Sequence, residues 1–458
     1  MGLEHVARHH LFPIVAKYWP RAVLCGKSAA SGGLPVDGEL YVSLPEPPRR
    51  SPLILPGVKV IAFAGPGELP GDIQMPHGLW MSGAARCLVE NVYLRGRQAR
   101  FRAGLEVVDD KIDDIARAGG AGRVRNVLEQ LDAIKDCFDS DAIDIVRRRL
   151  VAVLGTVAAG ERRPNDRLAA RLAGLPYDAQ RIMMLSKLVE HVSDRPPVPR
   201  PALSPESRWE WLSFFESYFS NFIEGTEFGV DEARRIALEG HDVASRPQDA
   251  HDVDATFRLA TDPLDRIRTP KSGEDLVDTL VQRHSVLMAA RPDKRPGQMK
   301  EKANFAGGYQ FVEPELVKGT LIKGYDTFAA VRDPLARATC VMALVTECHP
   351  FDDGNGRVAR LAANAELSAA GEVRIVIPTV YRNHYLAALT GFSNGAGRGE
   401  QLMAVLEFAQ RWTASIDWSS YEGACVVLEE CNAFLDSGVA EATGRRLTMP
   451  RRVDGIAR

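Results

Sequence analysis

One short segment, residues 349–360, combines side chains suited to acid–base, metal and phosphate chemistry; it reads His-Pro-Phe-Asp-Asp-Gly-Asn-Gly-Arg-Val-Ala-Arg. His349 can take a proton from an attacking hydroxyl near neutral pH. Asp353 is a carboxylate of the kind that Mg²⁺ binds beside substrate phosphates. Gly354 and Gly356 flank an asparagine and allow backbone N–H groups to converge where a helix begins, which predicts an anion nest for a diphosphate.

Two arginines follow the nest. Arg357 and Arg360 are three residues apart and share a helix face. One guanidinium group can donate two parallel hydrogen bonds to phosphate oxygens, so both arginines are expected to bind anions. Phe351 is the expected buried anchor of the loop. The segment resembles the core motif of the Fic family, H-x-F-x-[DE]-G-N-G-R-x-x-R, at every specified position.

The resemblance implies a role for each of these positions. His349 is the base, Asp353 holds the metal, and Phe351 is structural. The implied phosphate ligands are Gly354, Asn355 and Gly356 for the α- and β-phosphates, with Arg357 and Arg360 for the outer phosphates. Residues 381–389 resemble the family's late helix near the nucleotide base, where Tyr385 either stacks on adenine or belongs to the core.

A second segment, Ser220-Asn221-Phe222-Ile223-Glu224-Gly225, resembles the family's inhibitory motif [ST]-x-x-x-E-[GN]. Glu224 is predicted at the C-terminal end of a helix, before the C′ glycine Gly225. A carboxylate is unfavourable there, which favours an external cation as its partner. By resemblance, that partner is Arg360, and the ion pair takes the place of the ATP γ-phosphate. An exposed glutamate at a frayed helix end is the alternative, and Thr226 departs from the fuller E-G-N pattern.

Several elements must position these residues. Asp333-Pro334 is a good helix start, an N-cap followed by proline, and predicts a helix to about Cys348. The next helix is expected from about Asn355 to near Gly371. Upstream, residues 302–309 contain turn residues for the β-hairpin flap that Fic domains place before the motif. A flap of this kind binds an extended target by strand addition, although an ordinary surface loop fits the same residues.

The rest of the chain divides by composition. Residues 1–115 are predicted to be a mixed α/β module with strands at 40–44 and 58–64 and a helix at 84–91. Parts of this module are similar to abortive-infection type IV antitoxin proteins. Further elements are a helical connector at 116–193, a Pro-rich linker at 194–204, a mainly α Fic domain with a β-hairpin flap at 205–415, and a C-terminal helix and tail at 416–458. The predicted fold class is therefore mainly α.

Composition limits the classes of function. The chain has 458 residues, 26% of them charged, and a net charge of −3, so it shows no global attraction to nucleic acid. An arginine cluster at Arg95, Arg97, Arg100 and Arg102 is either a local nucleic-acid contact of the N-terminal module or a solvated face. Seven cysteines without a C-x-x-C pair fit reduced thiols. No signal-peptide pattern or membrane-spanning run is present, so we expect a cytoplasmic protein without a membrane partner.

The resemblance implies transfer of AMP from ATP to a Ser, Thr or Tyr hydroxyl of a protein, with Mg²⁺ as cofactor and Glu224 as inhibitor. The protein substrate is unidentified, with the chain itself as one candidate, and the sequence leaves the oligomeric state open, a homo-oligomer included. A second interpretation keeps the site but changes the donor or the direction of the reaction. A third, from another class, is an antitoxin-like binding protein with an inert Fic domain.

Overall fold

The computed structural model describes residues 2–46, 48, 50–92, 99–155, 163–193, 209–395 and 397–450. The chain divides into two compact units, Met1–Pro176 and Tyr177–Arg458. The predicted Pro-rich linker at 194–204 and two members of the arginine cluster, Arg95 and Arg97, lie outside the described residues. The predicted domain boundaries remain predictions.

The first unit combines a sheet with helices. Its helices are α1 (Leu3–His9), α2 (Leu11–Tyr18), α3 (Gly26–Ala30), α4 (Ala84–Asn91), α5 (Leu105–Ile134), α6 (Ser140–Val153) and α7 (Asp166–Leu172). Its strands are β1 (Val23–Leu24), β2 (Glu39–Leu44), β3 (Leu53–Leu55), β4 (Val58–Ala64), β5 (Ile73–Gln74) and β6 (Trp80–Met81). The predicted mixed α/β module, its two strands and its helix at 84–91 are therefore confirmed.

The sheet of the first unit has the order β3-β4-β2-β1-β6-β5. Its centre is the parallel pair β2 and β4, in which Leu40 lies opposite Val60. Both strands are rich in β-branched and aromatic residues, which favours extended backbone. Leu40, Val42 and Val60 are fully buried in one cluster. In the helical part, α5 bends at Gly119–Gly120, and its residues Val124 and Leu131 are buried.

The second unit is almost entirely helical. Its helices are α8 (Ala179–Ser193), α9 (Trp209–Ile223), α10 (Val230–Glu239), α11 (Pro247–Thr261), α12 (Gly273–Leu287), α13 (Pro314–Phe328), α14 (Pro334–Cys348), α15 (Asn355–Ala369), α16 (Arg382–Asn394), α17 (Glu400–Ala414), α18 (Tyr421–Glu430) and α19 (Ser437–Thr443). Two short strands, β7 (Phe305–Ala306) and β8 (Tyr309–Gln310), form an antiparallel hairpin. The predicted flap is thus confirmed as a hairpin.

Helices α14 and α15 form the centre of this unit. The side chain of Asp333 accepts a hydrogen bond from the Ala336 N–H and caps α14, with Pro334 in its first turn, as the sequence predicts. Most residues of α14 are buried, because alanine and small apolar side chains on every face let other helices pack around it. The loop between α14 and α15 carries the motif.

Helix α9 is an integral part of the second unit. Phe214, Phe215 and Phe219 are buried in a cluster with residues of α11, α17 and α18. On the same helix, a Glu216 oxygen accepts a 2.5 Å hydrogen bond from buried Arg374. Such a buried pair is costly to break, and the Asn364 amide of α15 donates to the other Glu216 oxygen at 2.9 Å, which holds α9 against the motif helix α15.

Two chain-wide observations complete the fold. All seven cysteines are unpaired, as predicted. In the part of the chain that the structure describes, no helix combines the length and apolar character needed to cross a membrane.

Candidate active site

His349 ends α14 in a left-handed conformation, with φ of 45°. Its Nδ1 lies 3.1 Å from the Thr346 carbonyl oxygen. A carbonyl only accepts, so Nδ1 carries the proton and Nε2 keeps its lone pair. The ring stacks on Phe311 at 3.9 Å. Burial lowers the pKa of His349 below its usual value. The imidazole is therefore a neutral base at neutral pH.

The motif loop is closed by its own asparagine. The Asn355 side chain accepts a hydrogen bond from the Phe351 N–H and donates one to the Phe351 carbonyl, each at 2.9 Å. The Phe351 ring is fully buried and stacks on His284 at 3.8 Å. His284 accepts from the Gly297 N–H at 3.0 Å and donates to the Asp353 carbonyl at 3.2 Å. Burial lowers the pKa of His284 to about 4, so it stays neutral and can make both contacts.

A second brace comes from the segment before the flap. The Lys300 ammonium group is buried and donates to Asn304 at 2.6 Å and to the Cys348 carbonyl at 3.1 Å. The Asn304 amide donates to the Phe351 carbonyl at 3.1 Å. These bonds satisfy backbone oxygens that the end of α14 leaves unpaired and hold His349 in its left-handed conformation.

The anion nest lies at the N-terminus of α15. Gly354 precedes the helix with φ of 72°, a conformation that a residue with a Cβ seldom adopts. A Cβ added at Gly356 would lie 2.2 Å from the Glu224 Oε1 atom. The Glu224 carboxylate therefore lies against Gly356 in the first turn of α15, and only glycine permits that approach.

Arg360 holds the same carboxylate. Its Nη2 donates to Glu224 Oε1 at 2.6 Å and to the Ser220 carbonyl at 3.0 Å. Its Nε donates to the Ser220 hydroxyl at 2.9 Å. Gly225 follows α9 with φ of 87°, the conformation that ends a helix at a C′ glycine. All three residues predicted for the inhibitory motif thus lie at the end of α9, two of them bonded to Arg360.

Arg357 is held by protein side chains. Its Nη1 lies 2.7 Å from Asp252 and donates to Asn221 at 3.3 Å, and its side chain is only 4% exposed. Asp252 also binds Arg291 at 2.9 Å. Arg357 is not among the cavity-lining residues of the described chain, because its guanidinium is held by α9 and α11. These contacts anchor the motif helix, and binding of the outer phosphates by Arg357 stays a prediction.

The two adjacent aspartates have different partners. Asp352 accepts two hydrogen bonds from Arg295, at 2.8 and 3.1 Å. Asp353 is 45% exposed, accepts the Gly354 N–H at 2.7 Å, and lies 4.0 Å from the Lys294 ammonium. Among the described residues Asp353 therefore keeps one oxygen, Oδ2, without a hydrogen-bond donor, whereas each oxygen of Asp352 accepts a hydrogen bond from Arg295.

A cavity of about 300 Å³ brings the site together. The predicted residues that line it are Glu224, His349, Asp353, Gly354, Asn355, Gly356, Arg360 and Tyr385. The flap contributes Ala306 and Tyr309. Tyr385 is fully buried, and its ring centroid lies 5.9 Å from the Arg360 guanidinium carbon. Its ring supports Arg360 and has no exposed face on which adenine could stack.

Several residues of the site carried no clear signal in the sequence. Asp252 follows a histidine in an ordinary helical pattern, and nothing in its position predicts a contact with Arg357. His284 has the spacing of a core residue. Glu347 lines the cavity and was equally inconspicuous, although its place two residues before His349 was a usable hint.

Comparison with known proteins agrees with this geometry. Residues 275–367 match the Fic/DOC family model. This part of the chain is a Fic/DOC domain. It includes α14, the motif loop and most of α15, whereas Glu224 lies upstream of the matched residues.

Relatives of the Fic/DOC domain extend the similarity at low identity. The protein adenylyltransferase fic-1 of Caenorhabditis elegans is 24% identical over 253 residues, which cover 54% of this chain and 48% of that protein. The protein adenylyltransferase Fic of Nematostella vectensis is 24% identical over 234 residues, covering 50% and 55%. The chain spans about half the length of these curated relatives. Among solved structures, C. elegans Fic-1 shows 17% identity and a TM-score of 0.38, covering 68% of this chain and 86% of that one.

Proposed function

We propose that this protein transfers AMP from ATP to a hydroxyl group of a protein and releases pyrophosphate. The observation that carries the proposal is the juxtaposition, in one cavity, of a neutral histidine and an anion nest with an arginine at its edge. The similarity to proteins named protein adenylyltransferase supports AMP as the transferred group.

His349 supplies the base. The hydroxyl of the target attacks the α-phosphorus of ATP, its proton moves to Nε2 of His349, and pyrophosphate leaves with the bonding electrons. The Nδ1–H bond to Thr346 holds the ring in the tautomer that this step needs and stabilises the imidazolium that forms. Phe311 and the Lys300–Asn304 brace fix the ring and the backbone.

The nest and Arg360 bind the phosphates. The N–H groups at the start of α15, with the positive end of the helix, favour the α- and β-phosphates. Arg360, once free of Glu224, is placed to contact the terminal phosphate. Arg357 contributes indirectly, because its pair with Asp252 fixes the first turn of α15 on which the nest depends.

A Mg²⁺ ion fits this donor set. Asp353 is a partly exposed carboxylate in the cavity with free lone pairs, and Mg²⁺ typically uses one or two carboxylates with substrate phosphates and water. Among the described residues no group of three or more His, Cys, Asp and Glu could hold a metal, which suits an ion that binds together with its nucleotide. The ion would neutralise phosphate charge and orient the leaving group.

Glu224 is proposed to inhibit the transfer. Its carboxylate lies against Gly356 and pairs with Arg360, so it would compete with phosphate for that arginine. Because α9 is packed into the core, relief requires displacement of the Glu224 side chain at the helix end.

Intact-mass measurement of the purified protein with ATP and Mg²⁺ tests the proposal. The Glu224→Gly variant is expected to gain the mass of AMP with time, and the same variant with His349→Ala is expected not to. Nucleotide binding in both variants, measured by calorimetry, separates loss of chemistry from loss of the site. Tight ATP binding to Glu224→Gly without modification of the protein or of any added lysate protein would contradict the proposal.

A further inference from the structure

The cavity contains a second carboxylate that the proposed transfer does not use. Glu347 lies in the last turn of α14 with its side chain 6% exposed, and it lines the cavity. The Tyr309 hydroxyl donates to its Oε2 at 2.6 Å. The Arg181 guanidinium lies 3.1 Å from the same oxygen. The Ser393 hydroxyl donates to Oε1.

These contacts leave Glu347 with an acceptor position on Oε1. An ionised carboxylate offers about four lone-pair sites, two on each oxygen. Tyr309 uses one site of Oε2 and Ser393 uses one of Oε1, while the Nε of Arg181 forms an ion pair with Oε2 without a hydrogen bond. Burial and the bond to Glu347 raise the pKa of Tyr309, so its hydroxyl remains a donor. The remaining site on Oε1 can only accept a hydrogen bond.

The direction of α16 places Glu347 at the end of the cavity away from the phosphates. Tyr385 lies beside Arg360, at the phosphate end. Ser393 is eight residues further along α16, which is about 12 Å at 1.5 Å per residue. Ser393 contacts Glu347 there. A nucleotide whose phosphates occupy the nest therefore extends its nucleoside along α16 toward Glu347.

The walls between these ends suit a nucleoside. Leu386 and Leu389 of α16 line the cavity between Tyr385 and Ser393 and offer apolar surface to a base. Thr390 adds a hydroxyl near the Glu347 end. An apolar slot with a few fixed polar groups is the usual form of a ligand site that reads one edge of a flat ring.

We propose that Glu347 selects the nucleotide donor by accepting a hydrogen bond from an exocyclic amino group of its base. The inference rests on the proposed nucleotide transfer. An amino group, as in adenine or cytosine, donates to the free site on Oε1. A keto oxygen at the same ring position, as in hypoxanthine or uracil, would repel the carboxylate, because both groups are hydrogen-bond acceptors. A site built to accept a hydrogen bond penalises a ligand that leaves its buried polar group unpaired.

Arg181 and Tyr309 keep this acceptor in place. Arg181 belongs to α8, donates to the Gln310 carbonyl at 2.6 Å and lies over the Tyr309 ring. It therefore fixes both the flap and the Glu347 carboxylate. Arg181 and Tyr309 are positioning residues in this proposal, because Glu347 is the residue that contacts the base.

ATP and ITP form the sharpest test, since they differ at the exocyclic position of one purine, and CTP and UTP repeat the comparison for pyrimidines. In the Glu224→Gly background, calorimetry should show ATP binding at least about tenfold more tightly than ITP, and CTP more tightly than UTP. Glu347→Gln should bring ATP and ITP close together, because a glutamine amide can turn to donate to a keto oxygen or accept from an amino group. Glu366→Gln is the matched control: Glu366 is buried and paired with an arginine, Arg337, outside the cavity lining, and the preference for ATP should persist.

The outcomes separate this inference from the transfer itself. Equal binding of ATP and ITP to the Glu347-bearing protein overturns it, whatever the folding of the variant. An unchanged ATP preference in a folded Glu347→Gln protein also overturns it. An ATP preference without AMP incorporation would contradict the proposed transfer and leave the role of Glu347 supported.

Discussion

Glu224 and Arg360 are joined by a 2.6 Å hydrogen bond between opposite charges, made directly over the glycine that forms the anion nest. The Glu224 side chain is 28% exposed, whereas that of Arg360 is 7% exposed. The arginine is therefore fixed in the core of the site and the glutamate lies at its opening. Of the two partners, Glu224 is the one that can move without disturbing the fold.

The first prediction concerns removal of this carboxylate. Glu224→Gly should raise AMP incorporation at least about tenfold, since a charge-assisted hydrogen bond contributes roughly 1.5–3 kcal/mol that ATP no longer has to displace. Adding Arg360→Ala should abolish the gain, because the released arginine is the proposed phosphate ligand. Intact-mass time courses measure both.

Glu227→Gly serves as the matched control for Glu224→Gly. Glu227 is an exposed glutamate three residues further along the same segment and does not line the cavity among the described residues. The Glu227→Gly variant should leave AMP incorporation at the wild-type level. Equal incorporation by wild type and Glu224→Gly would remove the inhibitory role of Glu224 while leaving the proposed transfer intact.

The Glu224–Arg360 contact also indicates how far the sequence could predict the site. Both residues lie in short motifs with fixed spacing, and the resemblance of these motifs to the Fic family implied that the two residues pair. The caps of α14 and the turn of the flap are local in the same sense, because each depends on neighbours within a few residues.

The role of Arg357 depends on contacts that no local pattern contains. Its partner Asn221 is 136 residues away along the chain, and Asp252 comes from yet another helix. Guanidinium chemistry suits a carboxylate as well as a phosphate, so residue type left the choice open. Packing of α9 and α11 against α15 decides it. The Glu347 network was missed for the same reason, since Arg181, Tyr309 and Ser393 are brought together only by the fold.

The second prediction is a pH dependence. Burial lowers the pKa of His349, so its neutral, base-competent form persists below the usual histidine value of about 6.5. The kcat/KM of the Glu224→Gly protein should therefore stay level as pH falls through that value and decline only at the lower pKa. His349→Ala should reduce turnover on the order of 10²–10⁴-fold at pH values above the pKa of His349, with ATP binding retained.

The charges around His349 allow a further check on the pH profile. Lys300 lowers the pKa of His349, whereas Glu224 and Asp353 raise it. Lys300→Met should shift the acid limb of the profile to higher pH. An acid limb at or above the ordinary histidine value in the Lys300-bearing protein would argue against His349 as the titrating base.

The third prediction separates the two aspartates of the loop. Asp353→Ala should abolish both activity and its dependence on Mg²⁺, because Asp353 has the free oxygen atoms in the cavity. Asp352→Ala should retain more activity, since that carboxylate is occupied by Arg295 and its loss mainly loosens the loop. Titration of activity with Mg²⁺ measures both effects. A greater loss in Asp352→Ala than in Asp353→Ala would reverse the assignment of the metal-binding residue.

The fourth prediction concerns the buried anchor of the motif helix. Asp252 is 1% exposed and pairs with both Arg357 and Arg291, so Asp252→Asn leaves two guanidinium groups with weaker partners. Breaking a buried ion pair costs roughly 3–5 kcal/mol, and thermal unfolding should show a clear fall in Tm. Asp249→Asn is the matched control. Asp249 lies one turn earlier on α11, also binds Arg291, and is 26% exposed, so its loss should cost much less.

Because Arg357 fixes the first turn of α15, Asp252→Asn should also weaken ATP binding in the Glu224→Gly background, and Asp249→Asn should not. Equal ATP affinity in the two variants would mean that Asp252 stabilises the fold without positioning the nest.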